Sequence, residues 1–121
     1  MTIKQLIDKV QEEKPNSFTD AKLISFIDEI ETDVAEQFCV ERESNYNGET
    51  AQTTVLLCPE PYSRLYVSWV KSQIDYANEE YASYQLNTEQ FTLDFRDFID
   101  WIVRTGRAPE DTTPRKLRGI F

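Results

Sequence analysis

Apolar and aromatic residues recur at helical spacing over residues 62–85, the longest periodic run in the chain. One row consists of Tyr66, Val70, Ile74, Ala77 and Tyr81, and further aromatic residues widen the stripe on its flank. At 1.5 Å per residue, the predicted helix is about 36 Å long. A stripe of this width predicts a central helix that contacts more than one neighbour.

Two shorter patterns predict helices before it. Thr2 and Gln5 stand at capping-box spacing, and the apolar positions that follow predict a helix over residues 2–14. A proline ends this pattern, and a second helix is predicted to begin near Thr19, with Ser17 or Thr19 as N-cap, and to run to about Phe38. The predicted buried rows are Ile3, Leu6, Ile7 and Val10 in the first helix, and Leu23, Ile27, Ile30, Val34 and Phe38 in the second.

The second predicted helix also carries many carboxylates away from its apolar row. They are Asp28, Glu29, Glu31, Asp33 and Glu36. Such a set suggests either a divalent-cation or general-acid site or an ordinary solvated face. Hard cations need oxygen ligands that converge from several segments, whereas these residues point to different sides of one helix. The pattern therefore favours a solvated face.

Residues 41–61 change character. A turn-rich cluster over residues 44–48 is followed by a β-prone run over residues 53–57, which would be a single strand without a partner in a small helical domain. Connections of this length usually serve a function or are disordered. We expect the apolar residues Val55, Leu56 and Leu57 to contact the core or a neighbouring subunit.

A fourth helix is predicted to start at Asn87, where a second capping-box pattern occurs, and to end near Arg104. Only about two residues then separate it from the central helix, so the two must form an antiparallel hairpin. The predicted fold is all-α, a small antiparallel bundle of about four helices with a long connection between the second and third. The predicted hairpin core consists of Trp69, Ile74, Tyr81, Phe91, Phe95 and Phe98.

Glycine and proline residues rule out a helix from Thr105 onward. The sequence therefore divides into a helical domain over residues 1–104 and an extended tail over residues 105–121. Residues 1–103 carry 8 basic and 20 acidic side chains, whereas residues 104–121 carry 5 basic and 2 acidic ones. An acidic body thus precedes a basic tail with an apolar tip. An acidic body argues against general binding to the nucleic-acid backbone, which needs Lys and Arg.

Few residues of this chain are candidates for enzyme catalysis. It has no histidine, which removes the commonest general base and the usual zinc ligand. Cys39 and Cys58 show no metal-binding spacing and are expected to be two reduced thiols. No nucleophile–base pair or phosphate-binding loop is readable, so we expect no catalysis, cofactor or metal. No apolar run could cross a bilayer and no signal peptide is apparent, which predicts a soluble cytosolic protein.

Several segments resemble the head–tail connector (adaptor) proteins of tailed bacteriophages. They are residues 61–66 and 73–84, the phenylalanines Phe91, Phe95 and Phe98, and residues 14–19, which are similar to the first turn of that family. Together they span most of residues 2–104. The resemblance weakens from Arg107 onward.

The resemblance implies a structural virion protein that assembles as a ring under the portal and links the DNA-filled head to a tail-side stopper or tail-completion protein. The twelvefold symmetry of portals implies a dodecamer there, and DNA would pass the lumen without specific binding. It also implies location at the head–tail interface of the virion, and in the host cytoplasm during assembly. The tail residues that would dock on the portal are Arg107, Arg115, Lys116, Arg118, Ile120 and Phe121.

A different function class also fits the composition. The chain could be an acidic helical interaction protein, such as a DNA mimic or an inhibitor of a host enzyme. Neither the long mixed connection nor the basic, apolar-tipped tail is needed for that role. A mass measured by size exclusion at rising concentration would discriminate, because a mimic is expected to stay small.

Overall fold

Four α-helices make up the fold in the computed structural model, which describes residues 1–42 and 44–106. They are α1 (Ile3–Glu13), α2 (Asp20–Gln37), α3 (Arg64–Ala77) and α4 (Tyr81–Thr105). The described part of the chain has no β-strand, and its only β-bridge joins Thr2 and Val55. The prediction of an all-α bundle of about four helices is confirmed.

The first two helices begin where local hydrogen bonding predicts. The Thr2 hydroxyl accepts a bond from the Gln5 N–H, and the Gln5 side chain accepts one from the Thr2 N–H, which completes a capping box. Thr19 caps α2 by accepting from the N–H of Lys22. Both predicted N-termini are confirmed. A cap depends only on residues close in sequence, so the sequence alone can locate it.

Helix α3 is the centre of the bundle. It packs against α1, α2 and, most extensively, α4. Leu65, Tyr66, Val70 and Ile74 are all buried although they point to different sides of the helix. The wide apolar stripe of the sequence thus reflects a helix with three helical neighbours.

The prediction of one long central helix over residues 62–85 is wrong, because the chain turns at residues 78–80. Glu79 adopts a left-handed backbone conformation with φ of 60°. The N–H of Glu80 then donates to the carbonyl of Asp75, which closes the end of α3, and α4 starts at Tyr81. The antiparallel hairpin exists, but its turn lies earlier in the chain than predicted.

Apolar periodicity misled the prediction at this turn. Tyr81 and Tyr84 continue the spacing set by α3, although they belong to the next helix. The capping-box pattern at Asn87 lies inside α4, where the Thr88 hydroxyl donates to the carbonyl of Gln85 as in an ordinary helical turn. Neither the tyrosine spacing nor the capping-box pattern marks the boundary between α3 and α4.

Most residues of the predicted hairpin core do lie in the interior. Ile74 and Phe98 are fully buried and Phe95 nearly so, while the partly buried Trp69 and Phe91 rings lie 5.1 Å apart. Tyr81 does not belong to the core, because its side chain is 58% exposed. It lies at the start of α4, and its ring lies 6.2 Å from the exposed ring of Tyr76 near the end of α3.

The predicted boundary between domain and tail shifts slightly. Helix α4 continues through Thr105 and is capped by Gly106 in the left-handed conformation with φ of 66°. Thr105, assigned to the tail from sequence, is therefore helical. The predicted docking residues lie outside the described residues: they are Arg107, Arg115, Lys116, Arg118, Ile120 and Phe121.

Candidate functional site

Residues 44–62, here called the anchored loop, are attached to α2 by two carboxylates that lie almost one helical turn apart. The Asp28 carboxylate accepts a 2.8 Å hydrogen bond from the N–H of Tyr46 near the start of the loop. The Glu31 carboxylate accepts a 3.0 Å bond from the N–H of Leu57 near its end. The loop is therefore fixed to one helix at two points that lie far apart along the loop.

Glu31 is the centre of a buried polar cluster. Its side chain is fully buried and accepts hydrogen bonds from the hydroxyl groups of Tyr66, at 2.5 Å, and Tyr46, at 3.0 Å. The Tyr66 oxygen in turn accepts from the N–H of Cys58 at 2.8 Å. A buried carboxylate is tolerated when donors satisfy it, and these donors come from three parts of the chain. The expectation that Glu31 lies on a solvated face is wrong.

The sequence did contain a signal for this burial. Glu31 lies four residues after Ile27 and three before Val34, so it falls within the apolar row of α2. Both of those neighbours are fully buried. A carboxylate inside an apolar row requires buried donors, whereas Glu29 and Glu36 outside that row are exposed.

The titration behaviour of the cluster fits a structural role. Burial, and then the charge of Glu31, raise the pKa of Tyr46 to about 12 and raise the pKa of Tyr66 further still. Burial, followed by the charges of Glu31 and Glu60, raises the pKa of the Cys58 thiol. All three groups remain protonated at neutral pH, and catalytic acids and bases need pKa values near the working pH. Tyr46 and Tyr66 therefore serve as neutral hydrogen-bond donors to the Glu31 carboxylate.

The start of the chain supplies the partner that the predicted strand was expected to lack. The N–H of Ile3 donates to the carbonyl of Thr54 at 3.0 Å, and the N–H of Leu56 donates to the carbonyl of Met1 at 2.9 Å. These bonds form the antiparallel bridge between Thr2 and Val55. The loop backbone is thus held by the N-terminal segment as well as by α2.

The three predicted contact residues of the loop face two ways. Leu56 is 4% exposed and belongs to the core, whereas Val55 is 67% and Leu57 39% exposed. Alternation of this kind is expected of extended backbone. Val55 and Leu57 together, here called the loop patch, are apolar side chains that a fixed backbone presents to solvent.

A second exposed apolar surface runs along α4. Leu86, Leu93 and Val103 are each more than half exposed. Leu86 and Leu93 lie about two turns apart on the side of the helix opposite Phe95, and Val103 lies about a quarter turn around the helix from them. These three residues are called the α4 outer row below. Single exposed apolar residues are common on proteins, but three on the outer side of one helix make it a candidate contact surface.

A second buried carboxylate connects the helical hairpin to α1. Asp75 is fully buried and lies 2.5 Å from the amino group of Lys14, and it accepts bonds from Ser83 at 2.8 Å and Asn87 at 2.6 Å. Burial alone would raise the pKa of Asp75, but the hydrogen bonds from Lys14, Asn87 and Ser83 outweigh it and lower that pKa. The arrangement fixes the turn between α3 and α4.

A cleft of about 160 Å³ between α1, α3 and α4 is lined by charges that already pair with each other: Lys71 with Glu13 at 3.2 Å, and Arg64 with Asp94 at 3.3 Å. Residues 1–42 and 44–106 contain no group of three or more His, Cys, Asp or Glu side chains that could hold a metal ion. In the same residues, no helix combines the length and hydropathy required to span a membrane.

Comparison of the chain with models of protein families, with curated proteins and with solved structures found no match. The class of protein is therefore defined by the fold and the site alone. Over the described residues, it is a small all-α protein of four helices in which a long connection is fixed to the core and exposes apolar side chains.

Proposed function

We propose that this chain is a structural subunit of the head–tail connector of a tailed bacteriophage. In this role it forms a ring under the portal and links the DNA-filled head to a tail-side protein. The observation that carries the proposal is the anchored loop: Glu31 and Leu56 fix its backbone to the core while Val55 and Leu57 face solvent. A long ordered connection with exposed apolar side chains is typical of a protein contact site.

The α4 outer row supports the ring. A subunit in a closed ring makes head-to-tail contacts, so it needs two different lateral surfaces. The loop patch and the α4 outer row belong to different elements and present apolar area independently. A monomeric protein requires neither surface.

Charge and sequence resemblance support the remaining parts of the proposal. The body of the chain is strongly acidic, which repels DNA phosphates and suits a channel through which DNA moves without binding. The portal, the tail-side partner and the dodecameric ring are proposed from the resemblance of residues 61–66 and 73–84 to connector proteins. The basic residues between 107 and 121 are proposed to dock on the portal.

The loop patch provides the direct experiment. In the full chain, Val55→Asp combined with Leu57→Asp should leave the thermal unfolding temperature nearly unchanged but abolish attachment to purified portal-containing heads. Thr53→Asp, also exposed on the loop, is the matched control and should attach normally. Leu56→Asp should instead unfold the subunit, since Leu56 is buried. Normal attachment of the double variant would refute a role for the loop.

Tail docking requires its own experiment. Truncation after Arg107 should reduce attachment to heads while the helical circular-dichroism signal remains. Normal attachment would exclude the docking role, and loss of folding would place the tail in the core. A wild-type chain that stays monomeric at all concentrations and does not bind heads would favour the acidic interaction protein instead.

A further inference from the structure

Three tyrosine rings meet at the end of the hairpin formed by α3 and α4. The ring of Tyr76 lies 6.2 Å from that of Tyr81 and 5.3 Å from that of Tyr84. Tyr76 and Tyr81 are 59% and 58% exposed, and Tyr84 is partly buried. These three residues are called the tyrosine tip below. Rings this exposed add little to the core, whereas tyrosine is enriched in binding surfaces because it offers a large contact area with few rotatable bonds.

The tyrosine tip is supported by a fixed turn. The buried Asp75, next to Tyr76 in sequence, accepts hydrogen bonds from Ser83 at 2.8 Å and Asn87 at 2.6 Å. These two donors flank Tyr84 in the sequence of α4, so the bonds hold the first turns of α4 against the end of α3. Side chains that are already ordered lose little conformational entropy on binding, which favours a contact role for the rings.

The turn beside the rings carries more carboxylates than cations. Glu79 and Glu80 are both exposed. Lys14 pairs with Glu80 at 3.7 Å but lies closer to Asp75, at 2.5 Å, and Lys71 of α3 is occupied by an ion pair with α1. Within residues 1–42 and 44–106, Glu79 forms no ion pair. Glu79 also has a left-handed backbone, where stability alone favours glycine, so an unpaired carboxylate is kept beside the tyrosine tip at a position that disfavours it.

The tyrosine tip lies far from the two surfaces assigned to head attachment. Helix α4 has 25 residues, so the tyrosine tip and the start of the tail lie about 37 Å apart at its two ends. Helix α1 runs parallel to α3, since Lys14 after its last turn meets Asp75 near the end of α3. The bridge between Thr2 and Val55 therefore places the loop patch at the end of α1 and α3 that is opposite to the tyrosine tip.

We propose that the tyrosine tip binds an extended segment of the tail-side protein that carries arginine or lysine residues. The inference rests on the proposed function, which assigns the tail and the loop patch to head attachment and so leaves the opposite end of the bundle for the tail-side protein. Guanidinium and ammonium groups bind to the faces of tyrosine rings and pair with carboxylates such as Glu79. Nucleic acid does not fit this surface, because Glu79 and Glu80 repel phosphate.

A short synthetic peptide of alternating glycine and arginine is the probe for the full chain. In an NMR titration it should shift the ring resonances of the tyrosine tip until they saturate. Tyr76→Leu should weaken binding by about threefold or more, whereas Tyr76→Phe keeps the ring and should bind like the wild type. Glu79→Gln should also weaken binding, and Glu29→Gln, which removes an exposed charge from α2, should not. Equal effects of the two Gln variants, or shifts spread evenly over the acidic surface, would overturn the site.

Head attachment separates this inference from the proposed function. Tyr76→Leu combined with Tyr81→Leu should attach normally to portal-containing heads, and the loaded heads should no longer bind purified tails. Tails that bind these heads normally would overturn the site and leave the proposed function standing. Loss of head attachment by the folded double variant would place the tyrosine tip on the portal side, which also overturns the inference, and a wild type that never attaches refutes both. Tighter peptide binding after truncation at Arg107 would make the chain's own tail the occupant and overturn the proposed partner.

Discussion

The hydroxyl group of Tyr66 donates a 2.5 Å hydrogen bond to the carboxylate of Glu31, and both side chains are fully buried. The bond joins α3 to α2. Because the Tyr66 oxygen also accepts from the N–H of Cys58, the same two residues connect both helices to the anchored loop. The surface proposed for assembly therefore depends on a pair of residues that no partner can touch.

Tyr66→Phe should lower the free energy of unfolding by about 1–3 kcal/mol. It removes one donor from the buried carboxylate of Glu31 and the acceptor of the Cys58 N–H, while the ring volume is nearly kept. Urea denaturation followed by circular dichroism measures the change. Tyr81→Phe, at an exposed tyrosine, is the matched control and should stay within about 0.5 kcal/mol of the wild type. Equal effects of the two substitutions would mean that the Glu31 cluster contributes nothing.

Phe95→Ala should cost about 3–5 kcal/mol, because the ring is almost completely buried between Phe91 and Phe98. The same denaturation experiment gives the value. Leu93→Ala, on the exposed side of the same helix, should cost far less. A loss under about 1 kcal/mol for Phe95→Ala would show that α4 does not pack on the core as described.

Acid should weaken the fold partly through Asp75. Its pKa in the folded chain lies below the ordinary value of 3.8, since hydrogen bonds from Lys14, Asn87 and Ser83 outweigh the effect of burial. A lowered pKa contributes stability that is complete above the unfolded value and is lost as the pH falls toward the folded one. The difference in unfolding free energy between wild type and Asp75→Asn should therefore be largest at neutral pH and decrease below about pH 4.

Urea denaturation over a range of pH checks this dependence. Asp8→Asn, which alters an exposed carboxylate on α1, is the control and should follow the wild-type pH profile closely. Lys14→Met should reproduce the loss at neutral pH, because it leaves Asp75 buried without its cation. A gap between wild type and Asp75→Asn that is constant from neutral to acid pH would contradict a lowered pKa.

The two cysteines should differ strongly in reactivity. Burial, and then the charges of Glu31 and Glu60, raise the pKa of Cys58, so its thiolate form is scarce. Cys39 is partly exposed. A chromogenic disulfide reagent should modify native Cys58→Ser protein quickly and native Cys39→Ser protein slowly, and urea should abolish the difference. Fast modification of Cys58 in the native chain would mean that the anchored loop opens readily.

The sequence by itself determined the helical class, the start of α1 and the start of α2. Thr2 and Thr19 bond to backbone groups three residues away, so their roles are readable without knowledge of the fold. The wide stripe of α3 likewise predicted several neighbours. Local hydrogen bonds and helical periodicity act over a few residues, and sequence reasoning succeeds at that range.

Only the tertiary structure decided where the hairpin turns and which loop residues face outward. The turn follows α3 because Ser83 and Asn87 of α4 reach the buried carboxylate of Asp75, which pairs with Lys14 of α1. Likewise, Glu31 is buried because donors distant in sequence converge on it. Apolar spacing cannot reveal these features, since they depend on hydrogen-bond partners that the chain brings together only when it folds.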